Sequence, residues 1–293
     1  MKGRYDRSAE DMGNIVRLEH VNVRVPDQRP ATLFYIAGLG LTRDPYLMTS
    51  VTNMWANVGM SQFHMPTGGP EVLRGVVGLV LPDRAELLAR LEKLREPLKD
   101  TKFAFKESND CVEATCPWGN RIRIHEPDPA RFGRIRLGMP YVEFAVPKGT
   151  AKGIARFYRE IMDAPAEVRD DGGAPAAHAT VGHRQELVYR ETREKLPAYD
   201  GHHLAVYIAD FSGPHKSLLE RGLVSEESDQ YQYRFKEIVD LDDGKPLFTI
   251  EHEVRSMTHP LGSRPLVNRN PNQSNLAFAP GYESVSWAMP YEA

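Results

Sequence analysis

The stretch LEHVNVRVPD, residues 18–27, decides how this chain is read, because its phrase returns three times. Aligned on the strand end, the copies are EHVNVRVPD (19–27), GVVGLVLPD (75–83), MPYVEFAVPK (139–148) and HHLAVYIAD (202–210). Each is a short apolar run rich in β-branched residues that stops at a polar or proline turn, which is the signature of a strand. A segment of helical apolar period follows each one: ATLFYIAGLGL, RAELLARLEKLREPL, GTAKGIARFYREIMDA and SGPHKSLLERGL. Strand-like segments come next, such as SVTNMWANVG, DCVEATCPWGNRIRIHEP, QELVYRE and PLFTIEHEV. The repeating unit is therefore β-α-β-β-β, and the chain holds four of them.

The copies fall into a pair of pairs. Phe34-Tyr35 and Phe157-Tyr158 sit at nearly the same place on the apolar face of the first and third helices, whereas the second and fourth carry Leu87-Leu88 and Leu218-Leu219. A proline-bearing break, HEPDPARFGRIRLGMP, separates the second unit from the third. This divides the chain into an N-terminal extension (1–16), a first two-unit module (17–130), a second two-unit module (139–258) and a tail (259–293). The tail is rich in Pro, Asn and Ser, so it either wraps the modules or is loose. A single unit cannot cover both faces of its strands. Two units side by side give an α+β module with a curved mixed sheet of about eight strands, helices outside and a concave cup inside. In HLAVYIA, alternation sends Leu204, Val206 and Ile208 toward the helices and His203, Ala205 and Tyr207 into the cup.

With 41% hydrophobic and 26% charged residues in 293, the composition is that of a soluble globular protein. A formal charge of only -3 argues against a general phosphate-binding surface and gives no membrane-surface signal. Trp55, Trp118 and Trp287 are scattered and form no stacking platform for bases. The expected partner is a small molecule, with neither nucleic acid nor membrane, and homo-oligomerisation is left open. No signal-peptide pattern or membrane-length run occurs, so the expected location is cytoplasmic. Cys111 and Cys116, without a second pair, read as reduced structural residues.

Among the four first strands, only the first and last carry a metal-capable imidazole, His20 and His203; Val76 and Tyr141 stand in the other two. Either histidine alone would read as an ordinary strand residue bonded to a carbonyl, but the repeat raises the weight of a shared metal. His202 is adjacent to His203 and so points to the opposite face.

These residues, together with Phe34-Tyr35…Gly38-Leu39-Gly40-Leu41 and Pro117-Trp118-Gly119-Asn120-Arg121-Ile122, resemble the vicinal oxygen chelate superfamily of glyoxalases, bleomycin-resistance proteins and extradiol dioxygenases. The resemblance covers about Arg17 to Arg255. It implies paired βαβββ units whose cup holds one divalent metal, with ligands on the first and fourth strands of each unit. Fourth-strand candidates are His64, Arg123, Glu186 and Glu251. Val76 and Arg123 cannot bind a cation. If chain neighbours share a cup, His20 stands with His64 alone, and His203 with Glu251 and a tyrosine. If units 1 and 4 share one, His20, His64, His203 and Glu251 converge. The second pairing wastes no ligand and is the preferred expectation.

On that reading His20, His203 and Glu251 form a two-histidine, one-carboxylate set suited to Fe(II), and open also to Mn, Ni, Co or Zn. The nitrogens of His20 and His203 should then lie within about 3 to 4 Å of each other, each bound at ~2.1 Å. His64 is a fourth ligand or a polar neighbour that orients substrate or water. Glu253 rivals Glu251 on the same strand face, with Glu251 the better fit to the family phrase. Tyr207 lines the pocket, donates a proton or packs the core. Arg255 reads more readily as a surface ion pair than as a binder of substrate carboxylate.

The length and layout resemble an extradiol-type dioxygenase. Two departures weigh against a standard catechol cleaver: Tyr141 stands where that subfamily has a metal histidine, and YRFKEIVDLDDGKPLFTIE lacks its His…Tyr…Pro…Glu signature. The alternatives are a glyoxalase-like lyase or isomerase, with Glu251 or Glu253 as base, and a metal-free protein that sequesters antibiotics in the cup.

Overall fold

In a computed structural model of the chain, which describes residues 5–47 and 51–269, the four units fold in the order the repeat predicts. Unit 1 comprises β1 (Ile15–Asn22), α1 (Gln28–Ala31), β2 (Thr42–Arg43), β3 (Asn53–Val58) and β4 (Ser61–Pro66). Unit 2 comprises β5 (Gly75–Val80), α2 (Arg84–Glu92), β6 (Ala104–Glu107), β7 (Val112–Thr115) and β8 (Arg121–His125), and a short α3 (Pro129–Phe132) occupies the proline break. Unit 3 runs β9 (Gly138–Pro147), α4 (Ala151–Glu160), β10 (Ala166–Asp171), β11 (Ala174–Gly182) and β12 (Gln185–Thr192). Unit 4 runs β13 (His203–Ile208), α5 (Ser212–Glu220), β14 (Val224–Asp229), β15 (Gln232–Val239) and β16 (Pro246–Ser256).

The strands assemble into two eight-stranded mixed sheets, ordered β14-β15-β16-β13-β1-β4-β3-β2 and β10-β11-β12-β9-β5-β8-β7-β6. Units 1 and 4 share the first sheet and units 2 and 3 the second, which is the preferred pairing. Segments 17–130 and 139–258 separate repeat pairs along the chain but do not separate sheets; each gives one unit to each. At both sheet centres the first strands of two units run antiparallel, β1 beside β13 and β5 beside β9, flanked by parallel β4, β16, β8 and β12. Central strands flanked on both sides leave no open backbone edge in the middle of a sheet.

Leu204, Val206 and Ile208 are fully buried, on the strand face opposite His203. The helices pack where the sheets back onto one another. After α1 the helix widens into a π-helical turn, Thr32–Gly38, that buries Phe34 and Tyr35. Gly38 permits the close crossing with unit 2, since a Cβ there would stand 2.6 Å from Leu94 Cδ1. From α4, the Tyr158 hydroxyl bonds Tyr189 of β12 at 2.5 Å and His252 Nε2 of β16 at 2.6 Å, tying the two sheets through one helix. His252 Nδ1 donates to Ile250 O at 2.9 Å, so each polar atom of this buried chain has a partner.

Both cysteines are free and buried, as expected. The first part of the tail wraps unit 1. Arg264 bonds Asp44 at 2.5 Å and Gln62 at 3.0 Å, and Val267 O accepts from Asn57 at 2.8 Å. Residues 270–293 lie outside the described residues. Among the described residues no helix is long and apolar enough to cross a membrane.

Candidate metal centre

The centre begins with a fault in a strand. Along β1, Leu18 faces Val206 but His20 faces Ala205, so Glu19 is an extra residue and the strand bulges there. The bulge breaks alternation and brings Glu19 beside its own neighbour: Glu19 Oε2 lies 2.6 Å from His20 Nδ1. The displaced backbone of Leu18 is satisfied by side chains. Its N–H donates to Gln185 Oε1 at 3.1 Å, and its carbonyl accepts from Ser61 Oγ at 2.7 Å. Gln185 belongs to β12 in the other sheet and also donates to Ser61 Oγ and to Met139 O, each at 3.0 Å.

Register then sets the face. One row across the sheet reads His64, Asn22, His203, Glu251, and the next reads Gln62, His20, Ala205, Glu253. One ring nitrogen each from His20, His64 and His203 lie within 4.8 Å of one another, against the ~3 to 4 Å expected with an ion bound. The Nε2 atoms of all three are buried and make no hydrogen bond. Three imidazoles with buried, unbonded Nε2 atoms fit a borderline divalent cation, because a neutral imidazole offers one ring nitrogen as a ligand once its tautomer is set.

Other residues hold the rings in place. The Trp55 indole stacks on His64 with centroids 3.7 Å apart and meets His20 edge-on at 5.0 Å. Asn22 Nδ2 lies 2.7 Å from His64 Nδ1. With the amide in this sense it donates, which leaves the His64 proton on Nε2; turned by half a rotation it would accept and free Nε2. Burial, reinforced by His20 and His203, pushes the His64 imidazole down to about 2, so it stays neutral. Burial likewise lowers His20 against the pull of Glu19. Burial alone would raise Glu19, but His20 and then Arg255 outweigh it and hold the carboxyl below its ordinary value.

The two rival carboxylates separate by side of the His203 ring. Glu251 Oε1 is 3.7 Å from Nδ1, and the carboxylate is engaged by Arg234 at 2.6 Å and Lys236 at 3.3 Å. Glu253 Oε2 is 3.6 Å from Nε2, and its charge also acts on His20 and His64. Neither belongs to the three-imidazole group, and Glu253 is the one on its side. Arg234 Nη2 also holds that oxygen at 2.5 Å, and Arg255 Nη2 lies 2.5 Å from the other. Burial would raise Glu253, but His203, His20, Arg255 and Arg234 together keep it far below the carboxylate range. Arg255 is not the surface residue its sequence context suggests: it is buried and bridges Glu253 to Glu19, donating to Glu19 Oε2 at 2.7 Å.

Tyr207 lies farther along β13, opposite Arg17, whose guanidinium sits 4.5 Å over its ring, and burial raises its hydroxyl. His202 does point away from the cup, bonded to Asp200 at 2.6 Å.

No family model matches the chain, and no curated protein does. Solved structures do. A protein from Bacillus subtilis subsp. subtilis strain 168, described as a candidate dioxygenase, aligns with a TM-score of 0.54 and 14% identity over 85% of this chain and 87% of its own. Glyoxalase I from Zea mays aligns with a TM-score of 0.53 and 12% identity over 82% of this chain and 92% of its own. The chain has the vicinal oxygen chelate fold. At these identities the likeness is one of fold, and the chemistry rests on the residues above.

The corresponding face of the second sheet is occupied by side chains. Tyr141 lies against Gly78, where a Cβ would come within 2.3 Å of its ring, and its hydroxyl bonds His125 Nε2 at 2.9 Å. Asp110, Cys111 and His125 are close enough for a cation, but Arg131 pairs with Asp110 at 2.9 Å and stands 3.4 Å from His125 Nδ1, placing a fixed positive charge there. Glu186 is bound to His178 and Arg169, each at 3.0 Å.

Proposed function

We propose that the chain is a metal-dependent enzyme acting on a small organic substrate through two neighbouring oxygens, and that its reaction is of the extradiol dioxygenase type with Fe(II) as the working ion. The observation that carries this is the convergence of three imidazoles from the first and last units, one ring nitrogen of each within 4.8 Å of the others, together with three buried Nε2 atoms that make no hydrogen bond. A divalent ion held by His20, His64 and His203 would supply charge stabilisation for the substrate oxygens and, if redox-active, one-electron chemistry. The protein's own groups bind and orient. His64 and His203 are the partly exposed members of the set, so substrate approaches on their side, along the wall that Trp55 makes behind His64.

The carboxylates favour oxygenase over isomerase. A proton-transfer reaction needs a base whose pKa lies near the working pH. Glu253 is held far below that range by its cationic neighbours, and Glu251 is committed to Arg234 and Lys236. Glu253 therefore serves better as a fixed anion than as a proton acceptor.

Metal analysis of protein purified without chelator, followed by oxygen uptake with a panel of catechols, tests this reading. Stoichiometric iron and catechol-dependent oxygen uptake, both lost in His20→Ala and His203→Ala, are expected. Absence of stoichiometric metal, with both variants binding small molecules as the parent does, would leave a metal-free binding protein. Metal without oxygen uptake, but with turnover of thiol–aldehyde adducts, would leave a lyase.

A further inference from the structure

Of the three imidazoles, only His20 has its ring nitrogen committed in advance by a carboxylate. Glu19 takes Nδ1 at 2.6 Å, which requires the proton on Nδ1 and leaves the lone pair on Nε2. His64 faces an amide that can bond in either sense, and His203 has carboxylate oxygens only at 3.6 and 3.7 Å. The geometry is unusual because Glu19 and His20 are consecutive in a strand, where side chains ordinarily point to opposite faces. The bulge removes that constraint, and Gln185 and Ser61 hold the bulge open through both polar groups of Leu18.

We propose that Glu19 is a positioning residue for the metal centre: through the bulge it locks His20 in the Nδ1–H tautomer and presents Nε2 as a ligand ready before the ion arrives. The proposal rests on the metal-centre reading above. Arg255 completes the device. It donates to the same Glu19 oxygen at 2.7 Å, fixing the carboxylate against Nδ1, while its other nitrogen reaches Glu253. A carboxylate behind a metal-binding imidazole raises the basicity of the ligand nitrogen and removes the entropy of choosing a tautomer, and losing such a partner typically costs about 10 to 100-fold in metal affinity.

The test is competition titration of Zn(II) and Co(II) against a chromophoric chelator, on the full chain, for the parent, Glu19→Gln, His20→Ala and the double variant. Expected is a loss of about 10 to 100-fold for Glu19→Gln, with an altered Co(II) absorption spectrum, and less than about threefold further loss when Glu19→Gln is added to His20→Ala. A Glu19→Gln protein that binds as tightly as the parent, with an unchanged spectrum, overturns the proposal while leaving the metal centre standing. A loss that persists undiminished in the His20→Ala background overturns it too, since the effect would not pass through His20. A parent that binds neither ion overturns both readings. Should Glu19→Gln fail to fold, the parent decides alone: nitrogen-resolved imidazole spectra of the Zn(II) form must show His20 protonated on Nδ1, and metal on Nδ1 would sink the proposal.

Discussion

Glu253 and Glu251 sit two residues apart on one strand face, yet their surroundings assign them different work. Glu253 faces the shared imidazole side and holds two arginines, whereas Glu251 faces the rim with Arg234 and the half-exposed Lys236. Glu253→Gln should therefore leave Arg255 and Arg234 short of a counter-charge inside the protein, at a cost of about 3 kcal/mol in urea unfolding, and should lower metal affinity as well. Glu251→Gln should cost less than Glu253→Gln, about 1 kcal/mol or below, because Lys236 is half-exposed and Arg234 keeps Glu253 as its counter-charge. Equal losses of metal affinity in the two variants would show that register does not decide which carboxylate serves the ion.

At the scale of the element, the bulge in β1 is where sequence and structure part company. The strands, helices and repeat order were legible because apolar period survives in every unit, and the pairing of units 1 and 4 was legible because only their first strands carry an imidazole, where units 2 and 3 have Val76 and Tyr141. Glu19 was not legible: nothing in LEHVNV marks an extra residue, and strict alternation puts Glu19 on the wrong face. Arg255 was misread for a related reason, since a charged residue at a strand end is usually exposed, and one of its two buried partners, Glu19, comes from a strand more than two hundred positions away. Trp55 and Asn22 carry no local signal beyond sharing a face with the histidines. The bulge itself depends on Gln185. Gln185→Ala should strand the Leu18 N–H and cost about 1 to 3 kcal/mol in denaturant unfolding, with metal affinity falling in parallel as Glu19 loses its seat. An unchanged affinity at reduced stability would mean the bulge survives without its clamp.

Across the whole molecule, the sheets are joined by the chain Tyr189, Tyr158, His252, and this joint is sensitive to acid. Burial lowers His252 from its ordinary 6.5 to about 4, so the folded protein keeps it neutral where the unfolded chain would take a proton. Stability from this residue is therefore intact above pH 6.5, falls as pH drops toward 4 and levels off below. The full loss is on the order of 3 kcal/mol. Urea midpoints measured from pH 7 to 4 should fall, and His252→Gln should flatten that slope by about one proton. An unchanged slope would mean that other buried imidazoles carry the effect.

The interlocked sheets make a stronger demand. Segment 17–130 ends up with β1 and β5, and segment 139–258 with β9 and β13, and each of these is a central strand that pairs with one from the other segment. Cut apart, each segment would expose the apolar edges of two half-sheets, which is a template for association. Neither segment alone should be a folded monomer, although two ordinary domains joined by the break near Pro129 would each survive the cut. Mixed, the segments should recover a one-to-one complex, because β1 finds β13 and β5 finds β9 only across the cut. The metal centre gives the sharpest readout, since His20 and His64 lie on one segment and His203 on the other. Metal affinity should appear in the mixture and in neither part, and a segment that binds the ion alone as tightly as the whole chain would overturn the shared cup.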